Sequence, residues 1–231
     1  MQPTFVPLPV VQRPMGVWSL AALALRRPGS RRSVSALSVV LFVLGTALFA
    51  YPVGTDVSAW ITQQRLGRTF GEAGMQTSYR AHTVAVGAAL TRLRVPRIGL
   101  NALVVEGTTP SALRAGAGHY VGSPLPGESG NVAIAGHRTT YGRPFNRLDE
   151  LKPGDEAVLD TPIATYVYRV VPPFDGHANP WVVLPSDVSV LNRTAGHELT
   201  FTTCNPKGSA AQRLVLRLEL TATRPLTPPG A

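Results

Sequence analysis

LTFTTCNP, residues 199–206, predicts a β-strand that brings the only cysteine of the 231-residue chain to its C-terminal end. The β-branched and aromatic side chains alternate between two faces, as they do on a half-buried pleated surface. Pro206 then ends the strand, because proline has no N–H to donate to a neighbouring strand. Cys204 is therefore predicted at a strand end. A lone cysteine is also common as a buried structural thiol, so this stretch by itself leaves both roles open.

Two further side chains with catalytic chemistry are predicted at strand ends. Arg213 opens the apolar strand LVLRLEL at residues 214–220, and a short loop joins this strand to the first one. Consecutive strands with a short loop are most often antiparallel neighbours, which places Arg213 opposite Cys204. Upstream, NVAIAG at residues 131–136 predicts a short strand that is followed directly by His137. The three side chains offer a nucleophile, an acid or base, and a cation for an oxyanion.

These motifs resemble those of the sortases, the cysteine transpeptidases of Gram-positive cell surfaces. AGHR at 135–138, TFTTC at 200–204 and the downstream Arg213 are similar to the histidine, cysteine and arginine motifs of that family, in the same order. TTCNP and HRTTYGRPF, the latter at 137–145, look most like the class E, housekeeping-type sortases of actinobacteria. The resemblance covers residues 92–220. The second residue of TFTTC is phenylalanine where the family usually has leucine, and both are bulky and apolar.

The resemblance implies both a fold and a set of site residues. It implies a mainly β fold, an eight-stranded sortase-like β-barrel with short helices. His137, Cys204 and Arg213 are then the catalytic residues. Tyr120 of the GHYVG motif is expected in the wall of the substrate groove, with Thr203 as a second substrate-binding residue. Tyr120 fits equally well as an aromatic side chain that packs against the barrel.

The spacing of apolar runs independently predicts a mainly β domain. Eight short runs are separated by proline, glycine, asparagine and aspartate, and they lie at 93–95, 103–105, 131–135, 157–159, 164–171, 181–184, 199–203 and 214–220. Such punctuation is typical of an antiparallel sandwich or barrel, and a barrel removes exposed strand edges. Short helices are predicted at 109–115 and 145–151.

Composition and charge exclude some classes of function. With 44% hydrophobic and 15% charged residues, the chain can bury a real core. The net charge of +9 is uneven, since residues 1–53 carry five arginines and no acid whereas residues 54–231 carry 17 basic and 13 acidic residues. This pattern favours a basic flank beside an ordinary domain, and it predicts no nucleic-acid partner. A single cysteine also excludes an internal disulfide.

Residues 34–53 predict one transmembrane helix that precedes the barrel. These 20 mostly apolar residues would span about 30 Å at about 1.5 Å per residue. The four arginines of RRPGSRR, residues 26–32, flank only the N-terminal side, which predicts a cytoplasmic N-terminus and an extracellular catalytic domain at the plasma membrane. A cleaved signal peptide is the main alternative. Its n-region would be unusually long, and LFA at 48–50 lacks the small residue needed three positions before a cleavage site.

The chain is thus predicted to divide into five segments. They are 1–33 (disordered, basic and cytoplasmic), 34–53 (membrane anchor), 54–91 (extracellular stalk), 92–222 (catalytic β-barrel) and 223–231 (flexible tail). Within the stalk, Asp56 is expected to cap a short helix at 57–66. The tail is expected to be loose because RPLTPP, residues 224–229, cannot continue a strand.

The remaining titratable residues predict no metal and no cofactor. The other four histidines lack metal-ligand spacing with each other or with Cys204: His82, His119, His177 and His197. The acids around KPGD at 152–155 are explained by a turn with solvated carboxylates. The sequence contains no glycine-rich phosphate loop and no Gly-x-Ser-x-Gly elbow.

The predicted chemistry is acyl transfer through a thioacyl enzyme. Cys204 attacks a peptide carbonyl, His137 exchanges the protons, and Arg213 stabilises either the oxyanion or the Cys204 thiolate. The resemblance implies that the donor is a secreted protein with a C-terminal Leu-Ala-x-Thr-Gly or Leu-Pro-x-Thr-Gly sorting signal, cut between threonine and glycine. It also implies that the acceptor is an amine of a peptidoglycan precursor. A membrane-tethered cysteine hydrolase and a non-catalytic β-barrel binding module remain as alternatives.

Overall fold

The computed structural model describes residues 28–72 and 74–226, and within them the chain forms three α-helices and nine β-strands. The helices are α1 (Pro28–Thr69), α2 (Met75–Arg80) and α3 (Pro110–Ala115). The strands are β1 (Ala89–Val95), β2 (Leu100–Glu106), β3 (Ala117–His119), β4 (Gly130–Ala135), β5 (Glu156–Asp160), β6 (Ala164–Val170), β7 (Trp181–Val183), β8 (His197–Asn205) and β9 (Gln212–Pro225).

Eight of these strands close into a barrel. The order β6-β5-β1-β2-β3-β4-β8-β9 returns to β6, because the long β9 pairs with β8 along one edge and with β6 along the other. The short β7 pairs with the part of β9 that β6 leaves free, at residues 213–215. Closure leaves few unpaired backbone groups at an edge. The predicted eight-stranded barrel is confirmed.

Alternation along β8 and β9 builds the barrel interior. Leu199 and Phe201 of β8 point inward with Leu214, Leu216 and Leu218 of β9, and all five belong to the main buried cluster. The ring of Phe201 lies 5.0 Å from that of Phe145, between centroids. By the same alternation, Cys204 and Arg213 belong to the outward-facing set at the ends of these strands.

The observed helices and strands differ from the predicted ones mainly in the shortest elements. The helix predicted at 109–115 is confirmed as α3, and Thr109 caps it by accepting a hydrogen bond from the Ala112 N–H at 3.2 Å. The helix predicted at 145–151 is only a 3₁₀ turn at Leu148–Glu150. β3 was not predicted, because Ala-Gly-His has neither β-branched residues nor an alternating pattern. Its pairing with β2 and β4 defines it as a strand.

The described residues belong to two compact units, one ending at Ala50 and one beginning at Tyr51. In the first unit, α1 carries exposed apolar side chains from Val34 to Phe49. α1 is the one helix of the described residues that is long and apolar enough to cross a membrane. It begins at Pro28, so residues 28–33 are helical rather than disordered as predicted. The remainder of the predicted disordered segment lies outside the described residues.

Residues 51–69 of α1 pack on the barrel, which differs from the free stalk predicted for 54–91. The Gln63 side chain donates to the carbonyls of Leu103 (3.0 Å) and Ala115 (2.8 Å) and accepts from the Leu103 N–H (2.7 Å). Because α1 continues through Asp56 without a break, Asp56 does not cap a new helix. Its carboxylate binds a distant loop instead, as described below.

The rest of the predicted stalk and the start of the predicted tail also belong to the domain. Tyr79 of α2 is buried with Leu90 and Leu125 in a second apolar cluster, and this burial raises the pKa of the Tyr79 hydroxyl. At the other end, β9 continues to Pro225, which is paired with Ala164. Proline is tolerated there because it is the last residue of the strand. Residues 227–231 lie outside the described residues.

Candidate active site

Two parallel strands bring His137 beside the end of β8. β4 pairs in parallel with β8, and Ala135 is the register partner of Thr202. The ladder extends one residue further, where the Gly136 N–H donates to the Thr202 carbonyl at 3.1 Å. His137 follows Gly136 directly, and a continuation of the same register would set it level with Cys204. Position 136, between Ala135 and His137, has no room for a side chain, because a Cβ at Gly136 would lie 2.7 Å from the ring of Phe145.

Antiparallel pairing places Arg213 opposite Cys204, as predicted. The two residues are register partners in the β8–β9 ladder, so their side chains leave the same face. The Arg213 guanidinium is fixed close to its own strand, because Nη1 donates to the carbonyls of Ala210 (2.9 Å) and Gln212 (3.0 Å). The Cys204 side chain is half-buried and its thiol is free.

Thr203 is buried rather than open to a substrate. It is 3% exposed, and its hydroxyl donates to the Gly136 carbonyl at 2.7 Å. Neighbouring residues of a strand point to opposite faces, so Thr203 faces inward where Cys204 faces outward. Its hydrogen bond ties the end of β4 to the end of β8.

Tyr120 lies on the same outer face as Cys204. Its hydroxyl is 3.0 Å from Thr202 Oγ1, and Thr202 precedes Cys204 by two residues on one face of β8. The Tyr120 side chain is half-buried. The hydrogen bond holds the Tyr120 hydroxyl on the face of β8 that carries the cysteine.

The surroundings of His137 favour its neutral form. The imidazole is half-buried, and its ring centroid lies 5.1 Å from that of Tyr141. Burial lowers the pKa of His137 below the ordinary value for histidine, and the positive charge of Arg114 lowers this pKa further. Near neutral pH the ring is therefore a proton acceptor.

Arg138 is a site residue to which the sequence analysis gave no role. Its side chain is 5% exposed, and Nη1 donates to the Cys204 carbonyl (3.3 Å) and to Asn205 Oδ1 (2.6 Å). Nη2 lies 3.2 Å from Asp149 Oδ2. Arg138 thus joins the loop after β4 to the end of β8. Its place in AGHR directly after His137 was the one sequence signal for such a role. Its partners could not be predicted from the sequence, because they are 66 and 67 residues away.

A closed barrel with a cysteine at one strand end and an arginine opposite it is the combination that the resemblance to the β-barrel cysteine transpeptidases implied. A family model for the sortase domain matches residues 93–221, more than half of the chain. The chain therefore belongs to the sortase family, whose members are cysteine transpeptidases.

Similar proteins include class E sortases. Sortase SrtE1 of Streptomyces coelicolor is 29% identical over 154 residues, which cover 60% of this chain and 42% of that protein, less than half its length. The SrtF sortase from Corynebacterium diphtheriae has a TM-score of 0.59 at 31% identity, covering 64% of this chain and 92% of that one. The structure of S. coelicolor sortase E1 with a tripeptide in the active site has a TM-score of 0.55 at 29% identity, covering 60% of this chain and 91% of that one.

Proposed function

We propose that this chain is a membrane-anchored transpeptidase that cuts a C-terminal sorting signal and joins the released acyl group to a cell-wall amine. One observation supports the proposal: Cys204 and Arg213 are register partners in the β8–β9 ladder, and His137 follows the end of β4, which pairs in parallel with β8. A thiol, a neutral imidazole and a guanidinium can supply the nucleophile, the proton acceptor and the cation that acyl transfer uses.

In the proposed first half-reaction, neutral His137 accepts the thiol proton of Cys204. The thiolate attacks the carbonyl carbon of the scissile peptide bond, and the Arg213 guanidinium stabilises the negative oxygen that forms. The C–N bond then breaks while the imidazolium of His137 gives its proton to the departing amine. The acyl group remains on Sγ as a thioester.

In the second half-reaction an amine takes the acyl group from Cys204. The amine gives a proton to His137 and attacks the thioester carbonyl, and Cys204 leaves as a thiolate. The product is a new peptide bond, so the reaction transfers the acyl group instead of hydrolysing it. Water as the acceptor would make the same site a cysteine hydrolase.

The substrates proposed are a secreted protein with a Leu-Ala/Pro-x-Thr-Gly signal and a peptidoglycan precursor amine. The tripeptide in the active site of the related S. coelicolor sortase E1 supports a peptide ligand for this site. We assign Tyr120 to the groove wall, because its hydroxyl contacts Thr202 on the face that carries Cys204. We assign Thr203 to the structural link between β4 and β8, because its hydroxyl is already bonded.

The proposed location is the plasma membrane, with the N-terminus in the cytoplasm and the barrel outside. The apolar part of α1 supports a membrane anchor. The arginines of residues 26–32, on one side only, support this orientation. An extracellular barrel would meet both secreted proteins and cell-wall precursors.

The function is tested by incubating the detergent-solubilised chain with a sorting-signal peptide, with and without a small primary amine. We expect cleavage between threonine and glycine, an amine-dependent ligated product, and an acyl adduct on Cys204 detected by mass spectrometry. Cys204→Ala should abolish all three, whereas Ser209→Ala, in the neighbouring loop, serves as the matched control.

Two other outcomes would contradict transpeptidation. A hydrolysis product whose yield is insensitive to the amine would identify a cysteine hydrolase. No cleavage, with Cys204 alkylated no faster than a cysteine in an unfolded chain, would identify a binding module with a structural thiol.

A further inference from the structure

The loop that follows His137 contains three consecutive residues in the left-handed region. Tyr141, Gly142 and Arg143 have φ values of 53°, 74° and 48°. For residues other than glycine this region is sparsely populated, and it persists only where the surroundings hold it. The loop also closes on its start, since the Phe145 N–H donates to the His137 carbonyl at 3.1 Å. Its conformation therefore depends on contacts outside it.

Asp56 of α1 supplies such contacts with both carboxylate oxygens. Oδ1 accepts from the Gly142 N–H at 2.9 Å, and Oδ2 lies 2.8 Å from Arg143 Nη2. One turn further along α1, Ala59 lies beneath the same loop, so that a Cβ at Gly142 would be 3.5 Å from the Ala59 Cβ. We call this arrangement the Asp56 clasp.

The clasp reaches His137 through one side chain. Tyr141 is adjacent to the clasped Gly142, and its ring packs on the imidazole with 5.1 Å between centroids and 40° between planes. The Tyr141 ring therefore links the left-handed turn at 141–143 to the His137 imidazole.

Holding α1 on the barrel does not require Asp56. Gln63 already makes three hydrogen bonds to the backbone of Leu103 and Ala115. The Asp56 and Arg143 side chains are 27% and 52% exposed, and ion pairs at such positions add little to stability because solvent screens them. The Asp56 carboxylate can therefore shape the 141–143 turn without being needed for the stability of the fold.

We propose that Asp56 is a positioning residue for catalysis, which holds the 141–143 turn so that Tyr141 orients the His137 imidazole. The inference rests on the proposed catalytic role of His137. It also means that the helix that follows the predicted membrane span contributes directly to the order of the active site. In the sequence, Asp56 is only three residues beyond that span.

The test compares Asp56→Ala, Asp56→Asn and Arg143→Gln in the full-length chain in detergent. We expect Asp56→Ala to lower kcat/KM about 10- to 100-fold, mainly through kcat, because small misplacements of a catalytic group have costs of this size. Asp56→Asn keeps an acceptor for the Gly142 N–H and should retain most of the activity. Arg143→Gln should have an equally mild effect.

Glu156→Ala is the matched control, because it removes the Glu156–Arg169 ion pair (2.7 Å), which has similar exposure on β5 and β6. It should leave kcat/KM unchanged. The thermal unfolding midpoints of all four variants should stay close to that of the unmodified chain. Amide hydrogen exchange in residues 137–145 should be faster in Asp56→Ala and unchanged in Glu156→Ala.

Two results would overturn the clasp: an Asp56→Ala variant with normal kcat/KM, or a loss of activity that merely follows a loss of folded protein. Failure of the proposed function gives a different result, namely no cleavage by the unmodified chain. In that case hydrogen exchange still tests whether Asp56 holds the loop. Unchanged exchange in residues 137–145 of Asp56→Ala would contradict the clasp, and faster exchange would support it.

Discussion

Arg213, the register partner of Cys204, and His137, which follows the end of β4, have different surroundings, and these surroundings decide what each can contribute. Arg213 is at an open strand end, where carbonyl partners fix one of its nitrogens. His137 is half-buried against Tyr141, in surroundings that disfavour its cation. The first setting suits recognition of a developing oxyanion, and the second suits proton exchange with a thiol.

Replacing Arg213 by lysine separates two possible roles of the guanidinium. Arg213→Lys keeps the charge but loses the planar fork of donors, so turnover should fall about 10²-fold if the fork stabilises an oxyanion. Alkylation of Cys204 by a small reagent should then be little changed. If alkylation near neutral pH slows as well, the arginine acts on the thiolate instead. Full activity with normal alkylation would identify Arg213 as a surface charge.

The pKa of His137 should respond to Arg114. Removing the cation in Arg114→Gln should raise this pKa towards the ordinary value, because a nearby positive charge disfavours imidazolium. The pKa should remain below the ordinary value, since burial is the larger cause and persists. NMR titration of the His137 ring provides the measurement. The acid limb of the pH profile of kcat/KM, along which His137 loses its proton, should move in the same direction. Arg169→Gln, on an exposed ion pair, should shift neither quantity.

At the scale of the elements, the sequence predicted the strands better than it predicted the partners of individual polar side chains. Each of the eight apolar runs became a strand, because alternation and turn residues are local signals. The same signals failed for β3, whose pairing partners define it. Asp56 resembled a helix cap in the sequence, but its real partner Gly142 is 86 residues away. The resemblance implied that Thr203 binds substrate, whereas strand alternation places Thr203 and Cys204 on opposite faces of β8.

Arg138 gives a prediction for the junction between the β4 loop and β8. Arg138→Met should remove hydrogen bonds from a buried guanidinium, each worth about 1.5–3 kcal/mol when a charged group takes part. The unfolding midpoint should fall by several degrees, roughly 2–4 °C per kcal/mol for a domain of this size. Activity should fall as well, because the end of β8 carries Cys204.

Asp149→Asn is the control for this junction, because it weakens the ion pairs of Asp149 with Arg138 and Lys207 and leaves the hydrogen bonds of Arg138 to Cys204 and Asn205 in place. Its unfolding midpoint, measured by calorimetry, should change little. An Arg138→Met variant with an unchanged midpoint and full activity would show that the end of β8 is ordered without this link.

At the scale of the whole molecule, the chain combines an apolar helix with a barrel that contains its only cysteine. That cysteine makes the proposed orientation directly measurable. A membrane-impermeant maleimide should label Cys204 in intact cells, because the barrel is expected outside. Cys204→Ala gives the background. Labelling that appears only after the membrane is opened would place the barrel in the cytoplasm and reverse the predicted topology.

The length of β9 has a consequence for the order in which activity and structure arise. Its 14 residues complete the barrel wall by pairing with β6 and also set Arg213 against Cys204 by pairing with β8. A slip of one residue in β9 would turn Arg213 to the opposite face. Under the proposed function, a barrel assembled in the wrong register would be inert towards peptides. Under the proposed function, a chain whose barrel wall is not yet paired in register would be unable to cut neighbouring polypeptides.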